Sequence, residues 1–294
     1  MSFLNSVVVV LNVFLSLGTA GHALLNKRTP ATALGWIAVC LMFPVVGPFL
    51  YFLFGINRVE SRAKRLEDKG PVRQLDGRGY EDAAAGVMLK AAELSLPRSF
   101  AQIARISDIV THLPLVGGNA VDLLPNGETA YPAMLESIHQ ARSFVLLSTY
   151  IFEGNKTGKQ FIEALAGAVE RGVDVRVIID GVGEYYYWRR VGTLLRRRGV
   201  HVGRFIPPRL IPPAIRINLR NHRKILIVDG QVAYTGGMNI GDRHLAENTR
   251  NKKRVVDLHF RLRGPVVMQI EQIFLEDWAF CTGEKDPPLP LPAC

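Results

Sequence analysis

The sequence predicts an α/β domain with a mixed sheet flanked by helices, preceded by two N-terminal transmembrane helices. Three observations lead to this fold class. The first 55 residues contain only two charged side chains, Lys27 and Arg28. From about residue 100 onwards, apolar segments of strand length alternate with longer segments of helical periodicity. Finally, Asp229-Gly230 separates two apolar strands, which is a dipeptide favoured in tight β-hairpins.

The N-terminal region contains two uncharged stretches, Phe3–Leu25 with 23 residues and Ala31–Gly55 with 25. A helix needs about 20 apolar residues to cross a bilayer, so each stretch is long enough. The short connection between them predicts a helical hairpin, and Pro44 and Pro48 predict a kink in its second half. A signal peptide is the alternative for the first stretch, but residues 1–6 lack the basic side chains that such a peptide carries.

The charge distribution predicts the orientation of this hairpin. The chain has 36 basic and 26 acidic residues, a net charge of +10. Six Lys or Arg residues follow the second stretch within residues 56–75, whereas the hairpin loop has two. The positive-inside rule then places residues 56–294 and the N-terminus in the cytoplasm. The same six residues are suited to attract anionic lipid headgroups.

The chain therefore divides into four predicted parts. Residues 1–57 form the transmembrane hairpin, residues 58–105 a basic and Ala-rich linker, residues 106–285 the α/β domain, and residues 286–294 a Pro-rich disordered tail.

Within the α/β domain, each element follows from its pattern. Continuous apolar or β-branched segments predict buried strands, and apolar residues spaced three or four apart predict amphipathic helices. The predicted strands are Val121–Leu124, Phe144–Phe152, Val173–Asp180, Val200–Ile206, Lys224–Val228, Val232–Tyr234 and Val255–Arg263. The predicted helices are Tyr131–Arg142, Lys156–Arg171, Tyr185–Arg198 and Val266–Cys281, with a turn at Pro125–Glu128. Alternation in the last strand places Asp257 and His259 on a polar face, where His259 reads as a surface histidine.

Composition excludes several classes of protein. The three cysteines, Cys40, Cys281 and Cys294, are too few and too scattered for a disulfide framework or a zinc site. Neither of the glycine-rich nucleotide-binding motifs occurs. We therefore expect neither a metal nor a cofactor.

The segment from Asn221 to Asn239 carries the candidate chemistry. His222 and Lys224 are two residues apart at the start of a predicted strand, so their side chains should enter one cleft together. The ammonium of Lys224 suits phosphate oxygens, and His222 suits a nucleophile or a proton carrier. Gly236 and Gly237 let backbone N–H groups approach an oxyanion, and Asn239 adds an amide donor. The bare His-x-Lys pair is common on half-exposed strands and carries little information alone.

The longer pattern is more specific. His222, Lys224 and Asp229 fit H-x-K-x(4)-D, and six residues later the chain reads Gly-Gly-Met-Asn. This resembles the signature of the phospholipase D superfamily, which has Ser at the position of Gly237. The variant G-G-x-N-I-G-D is similar to bacterial cardiolipin synthases. So are the segment PVVGPFLYFLFG of the second apolar stretch and the segments Tyr150–Glu153, Ile178–Gly183 and Glu276–Glu284.

The resemblance implies one phospholipase D-like domain in a multi-pass protein of the bacterial inner membrane. It implies a phosphatidyltransferase that converts two phosphatidylglycerol molecules to cardiolipin and glycerol through a phosphohistidine intermediate. The implied catalytic residues are His222, Lys224 and Asp229. The implied phosphate-binding residues are Lys224, Gly236, Gly237 and Asn239. Asp257 is the candidate for orienting the histidine, with a surface pair to Arg254 as its alternative, and Glu153 is a candidate for lining the cleft.

One feature departs from the family pattern, because cardiolipin synthases carry two H-x-K motifs. Among the seven histidines, only His222 is followed by x-Lys. The chain then resembles an N-terminal half, and three explanations stay open: an inactive truncation, pairing with a separate second half, or a homodimer. The alternatives for function are a single-motif dimeric phosphodiesterase, acting as a phospholipase D or a nuclease, and an inactive membrane protein. The apolar stretches favour phosphatidylglycerol and anionic membranes as partners over nucleic acid.

Overall fold

The structure is a computed structural model. It describes residues 2–27, 29–56, 98–111, 113–186, 190–208, 220–247 and 249–284. The predicted linker up to residue 97 and the predicted tail at residues 286–294 lie outside the described residues.

The N-terminal region contains one long helix and a broken one. Helix α1 spans Ser2–Asn26, and its part Ser6–Asn26 is long and apolar enough to cross a membrane. The second apolar stretch is divided into α2, Pro30–Met42, and α3, Val46–Leu50, which continues as a π-helical turn over Tyr51–Gly55. The division falls at Pro44, which has no backbone N–H to continue a helix.

Helix α2 packs antiparallel to α1, and α3 with its π-helical turn folds back along α2, where Gly47 lies against Val39 and Cys40. The Ser16 hydroxyl donates to the carbonyl of Pro44 at 3.1 Å, and Nδ1 of His22 lies 2.8 Å from the Tyr51 hydroxyl. The ring of Trp36 meets the ring of Tyr51 edge-on at 5.4 Å, and Lys27 donates to the carbonyl of Gly55. The second stretch therefore reaches the level of Ser16 on α1, turns back there, and ends with Gly55 beside Lys27 at the loop.

The α/β domain contains a seven-stranded sheet in the order β1-β7-β6-β5-β2-β3-β4. Strands β2, β3 and β4 are parallel, and the remaining pairs are antiparallel. The predicted mixed sheet is thus confirmed. The strands are β1 (Ala120–Pro125), β2 (Phe144–Thr149), β3 (Asp174–Asp180), β4 (His201–Phe205), β5 (Ile225–Val228), β6 (Val232–Gly236) and β7 (Leu258–Arg263).

Helices cover both faces of this sheet. The described helices of the domain are α4 (Arg98–Thr111), α5 (Asn126–Gln140), α6 (Lys156–Glu170), α7 (Val191–Arg197) and α8 (Val266–Thr282). Helices α5, α6 and α7 contribute to the larger buried cluster on one face, around Phe161 and Leu165. Helix α8 contributes Phe274 and Trp278 to the cluster on the other face. Helix α4 crosses the predicted domain boundary at residue 105.

Two local predictions were wrong. The predicted turn Pro125–Glu128 is the start of α5, because the side-chain oxygen of Asn126 accepts the N–H of Asp257 at 3.0 Å and its own N–H donates to the carbonyl of Asp257 at 2.9 Å. These contacts with a distant segment are invisible to a local pattern. The predicted helix Tyr185–Arg198 is a 3₁₀ turn over Gly183–Tyr186 and the separate short helix α7.

The topology gathers five segments at one edge of the sheet. Strand β5 runs antiparallel to β2, with Ile225 opposite Ser148, so the residues before β5 lie beside the residues after β2. By the same rule, the end of β6 meets the start of β7, with Gly236 opposite His259. We call this the site edge. It consists of the carboxyl ends of β2, β3 and β6 and the amino ends of β5 and β7.

Candidate active site

His222 and Lys224 lie side by side at the site edge, immediately before β5. The imidazole of His222 stacks on the ring of Tyr150, with centroids 4.4 Å apart and planes inclined by 22°. The ammonium of Lys224 lies 5.7 Å from the centroid of the same ring and donates to the carbonyl of His222 at 2.7 Å. The two predicted residues therefore share one face, and Tyr150 is the surface on which both rest.

The environments of these two side chains differ. His222 is exposed, whereas Lys224 is partly buried. Burial lowers the pKa of Lys224, and the nearby carboxylate of Asp257 opposes that shift. The arrangement presents an open imidazole to a ligand and holds a cation beside it.

The Gly236–Asn239 loop is fixed by internal hydrogen bonds. The N–H of Gly237 donates to the carbonyl of Leu258 at 3.1 Å, and the side-chain oxygen of Asn239 accepts the N–H of Ile151 at 3.0 Å. The Tyr131 hydroxyl donates to the carbonyl of Asn239 at 2.6 Å. The predicted donor at Gly237 is thus engaged within the protein, and the side chain of Asn239 is held through its oxygen. They shape the site edge, and a phosphate role for them stays a prediction.

Asp257 packs directly on Gly237. A Cβ atom at position 237 would lie 2.2 Å from Oδ1 and 2.7 Å from Oδ2 of this carboxylate. The space that a serine side chain would need is therefore filled, which gives a physical reason for glycine where the superfamily signature has serine. Oδ1 of Asp257 also accepts the N–H of Leu258 at 2.8 Å.

The histidine nearest to this carboxylate is not the one we predicted. Oδ2 of Asp257 lies 3.8 Å from Nδ1 of His244. In the described residues, the carboxylate therefore contacts His244 where we had expected His222. Nε2 of His244 accepts the N–H of Asn239 at 3.2 Å, which places the ring proton of the neutral imidazole on Nδ1, towards Asp257. Burial lowers the pKa of His244, against the effect of Asp257. No sequence pattern had marked His244.

The expectation of a surface histidine at position 259 was wrong. His259 is 1% exposed, and burial lowers its pKa to about 4. It packs against Gly236, where a Cβ atom would lie 2.6 Å from its Nδ1. Strand alternation had placed His259 beside Asp257, but it treated that side of β7 as solvent-facing. Helices cover both faces of the sheet, so His259 is buried on one side and Leu262 packs against buried residues on the other.

Asp229 lies at the opposite edge of the sheet from His222. Five residues of extended chain separate it from Lys224, about 16 Å at the usual rise per residue. Its Oδ1 accepts the N–H groups of Ser143 and Phe144 at 2.8 and 2.9 Å, and its Oδ2 accepts that of Arg142 at 2.9 Å. These contacts give Asp229 a structural role, in which it joins the β5–β6 hairpin to the start of β2, and its catalytic role stays a prediction.

The Asp229-Gly230 hairpin itself is confirmed. Both residues have positive φ, 51° and 65°, as a type I′ turn requires.

Glu153 follows β2 and braces the far side of the loop. Its Oε1 accepts from Nε of Arg243 at 2.9 Å, and its Oε2 accepts from the side-chain amide of Asn155 at 2.6 Å. Gly241 packs directly on this carboxylate. Both carboxylate oxygens are engaged, so Glu153 positions the loop that follows Asn239. Within the described part of the chain, no three His, Cys, Asp or Glu side chains are arranged to hold a metal ion.

Comparison with known proteins identifies the families that the chain is similar to. A family model described as "Cardiolipin synthase, PLD-like domain" matches residues 134–278, and one described as "Phospholipase_D-nuclease N-terminal" matches residues 7–55. Cardiolipin synthase 1 of Bacillus anthracis is 32% identical over 88% of this chain and 50% of its own length. The major cardiolipin synthase of Bacillus subtilis is 31% identical over 94% of this chain and 57% of its own length. The chain thus spans about half the length of the curated relatives it matches.

Among solved structures, the phospholipase D family member Nuc from Salmonella typhimurium aligns with a TM-score of 0.41 and 18% identity. The alignment covers 54% of this chain and 94% of that one.

A mixed sheet with a His-x-Lys pair at one edge, matched by a phospholipase D-like family model, defines a phospholipase D-like domain. The chain belongs to the bacterial cardiolipin synthase family of the phospholipase D superfamily.

Proposed function

We propose that this chain supplies one half-site of a cardiolipin synthase-type phosphatidyltransferase, which converts two phosphatidylglycerol molecules to cardiolipin and glycerol. The observation that carries the proposal is the pairing of His222 and Lys224 on the ring of Tyr150. An exposed imidazole beside a partly buried cation is suited to attack a phosphodiester whose oxygens the cation holds.

In the first step, a ring nitrogen of His222 attacks the phosphorus of phosphatidylglycerol. The bond from phosphorus to the glycerol oxygen breaks, and a second histidine protonates the departing glycerol. Lys224 offsets the negative charge that accumulates on the phosphate oxygens. The product of this step is a phosphatidyl group bound covalently to His222.

In the second step, the hydroxyl of another phosphatidylglycerol attacks the phosphorus of this adduct. The second histidine takes up the proton of that hydroxyl, the phosphorus–nitrogen bond breaks, and cardiolipin is released. His222 is restored, and no cofactor enters the balance. Exchange of roles between His222 and the second histidine gives the same overall reaction.

In this proposal, the second histidine comes from an H-x-K motif outside this copy of the chain. Apart from His222, the described histidines at the site edge are His244 and His259. Their exposed fractions are only 3% and 1%. Burial lowers the pKa of both, which disfavours the protonated form that a general acid needs. A second copy of the chain or a separate second half is the proposed source.

We further propose that residues 1–57 form two membrane spans and that the catalytic domain faces the cytoplasm of a bacterium. Helix α1 supports the first span by length and composition. The second span is supported by the length of the uncharged stretch Ala31–Gly55. The contacts of Tyr51 with His22 and of Gly55 with Lys27 bring the end of this stretch back beside the loop, and they add nothing to that support. A reporter fused after residue 294 should give a cytoplasmic signal, and a periplasmic signal would contradict the topology.

The test of function is thin-layer chromatography of lipids from a cardiolipin-deficient bacterium. Three strains would express the chain alone, the His222→Ala variant, and the chain with the part of the Bacillus subtilis relative that it does not match. Cardiolipin with the chain alone would indicate that two copies complete the site. Cardiolipin only on co-expression would indicate a separate second half. Its absence in all strains, with folded protein in the membrane, would refute the proposed function.

A further inference from the structure

The segment that carries His222 has an unusual means of support. Residues 220–224 form no regular secondary structure, yet they present the two side chains that need a defined orientation. Arg220 and Asn221 are buried behind the segment, while His222 and Arg223 are exposed in front. Two carboxylates from other elements, one fully buried and one mostly buried, reach this segment from behind.

The first carboxylate belongs to Asp180, the last residue of β3, which is fully buried. Its Oδ1 accepts the N–H groups of Val182 and Gly183, each at 2.9 Å, so it also fixes the turn that follows β3. Its Oδ2 accepts the backbone N–H of Asn221 at 3.1 Å, and the guanidinium of Arg220 lies 3.4 Å from Oδ1. Asp180 thus holds the backbone one residue before His222.

The second carboxylate belongs to Asp277 on α8. Its Oδ2 accepts the side-chain amide of Asn221 at 3.0 Å, and its Oδ1 pairs with the guanidinium of Arg223 at 2.6 Å. Burial raises the pKa of Asp277, and the charge of Arg223 opposes that shift. The side-chain oxygen of Asn221 accepts the N–H of Arg223 at 2.9 Å, which closes the network.

The residues on both sides of His222 are therefore tied down by side chains from β3 and α8. Asn221 is held through its backbone and its side chain, and Arg223 through its N–H and its guanidinium. His222 lies between them with its imidazole against Tyr150.

We propose that Asp180, Asn221 and Asp277 are positioning residues that set the orientation of the His222 imidazole. We call these three residues the anchor. Its importance for catalysis rests on the proposed function, because only a reacting histidine needs this precision. Misplacement of a reacting group by about 1 Å costs about 100-fold in rate, so loss of the anchor should lower kcat by about that factor with little change in KM.

The test reads the orientation of His222 without relying on activity. In the full chain, labelled with ¹³C at histidine Cε1 and held in lipid nanodiscs, stacking on Tyr150 should shift the His222 Hε1 signal upfield. The His222→Ala variant assigns the signal, and Tyr150→Leu gives its position without the ring current. Asn221→Ala and Asp277→Asn should each move the signal towards that position.

The matched control is Asp174→Asn. Asp174 also pairs with an arginine, Arg176, at 2.6 Å, and its side chain is 16% exposed against 14% for Asp277, but it lies at the opposite edge of the sheet. This variant should leave the His222 signal in place. Arg223→Ala should move the signal in the same direction as Asp277→Asn. Because Arg223 is half-exposed, this variant should fold even if a substitution at a buried position does not.

The outcomes are distinct. An unmoved His222 signal in folded Asn221→Ala and Arg223→Ala proteins would overturn the anchor, as would an equal movement in Asp174→Asn. A signal that moves, together with a chain that transfers no phosphatidyl group under any condition, would support the anchor and refute the proposed function. A signal that moves while kcat stays at the wild-type value would overturn the role of the anchor in catalysis.

Discussion

The two ends of strand β5 use members of the same motif for opposite purposes. At the amino end, His222 and Lys224 rest on Tyr150, and the imidazole is open to solvent. At the carboxyl end, Asp229 accepts three backbone N–H groups at the start of β2. The amino end leaves an imidazole accessible to a ligand. At the carboxyl end, hydrogen bonds to backbone N–H groups occupy the carboxylate and connect two parts of the sheet.

This difference shows that a sequence motif need not be one site. The spacing H-x-K-x(4)-D spans a strand, so its first and last members must lie at opposite edges of the sheet. The aspartate secures the strand whose other end carries the proposed catalytic pair. Substitutions at the two ends should therefore separate activity from stability.

The largest effect is expected at the amino end. His222→Ala should lower phosphatidyl transfer by about 1,000-fold or more, because no other exposed imidazole is available at the site edge among the described residues. The free energy of unfolding should stay within about 0.5 kcal/mol of the wild-type value, as at other exposed positions. Initial rates and urea denaturation of the purified chain measure both quantities.

The matched control for this variant is His201→Ala. His201 is also an exposed histidine, at 69%, but it lies at the opposite edge of the sheet, at the start of β4. It should keep full activity. Equal losses in the two variants would contradict the assignment of the site.

At the carboxyl end, the effect should be on stability. Asp229→Ala removes the acceptor of three N–H groups, two of them from the buried region at Ser143 and Phe144, and should destabilise the fold by about 3 kcal/mol. Asp229→Asn keeps one oxygen acceptor and tolerates the positive φ, so its loss should be smaller. Urea denaturation gives the free energies. If Asp229→Asn, fully folded, lost activity as His222→Ala does, the structural assignment of Asp229 would fail.

Acid should weaken the site edge through its buried histidines. His259 has an ordinary pKa of 6.5 and a folded-state pKa of about 4, so between these values the unfolded chain binds a proton that the folded chain does not. Stability from this group is complete above pH 6.5 and falls as the pH drops towards 4, by about 3 kcal/mol. Urea denaturation from pH 7 to pH 4.5 should show a shallower fall for His259→Gln than for the wild type. Identical pH slopes would contradict burial of a neutral His259.

The smallest effect should come from the surface on which His222 rests. Tyr150→Leu removes a stacked ring pair and should lower activity by about fivefold, since such pairs contribute about 1 kcal/mol. Tyr150→Phe keeps the aromatic face and should stay near wild-type activity. A large loss in Tyr150→Phe would instead indicate chemistry by the hydroxyl group.

Local patterns predicted the strands well because buried strands in this domain are nearly continuous apolar segments. Phe144–Thr149 and Asp174–Asp180 lie within one to three residues of their predicted ends. The start of α5 was missed because Asn126 pairs with Asp257, 131 residues away, and no window along the sequence contains both. The break before α7 was missed because helical spacing continues across Arg190 in the sequence.

For the site, the sequence identified the two side chains that a ligand would meet. It missed the residues whose hydrogen bonds and ion pairs fix their surroundings. His222 and Lys224 follow from two-residue spacing, which a strand converts directly into proximity. His244 and Asp277 have no such signal, since they reach the site edge from a loop and from α8. The assignment of Asp257 to the wrong histidine has the same origin, because its partner depends on where the loop after β6 turns.

The contact between Gly237 and Asp257 has a consequence for how such a chain can change over time. With the carboxylate lying where a side chain at position 237 would be, a serine cannot enter while Asp257 keeps its place. The two positions are therefore expected to evolve as a pair, and the order of the steps matters. A shorter residue at position 257 leaves room for serine, whereas serine introduced first requires the carboxylate of Asp257, which is 25% exposed, to rotate away from Gly237.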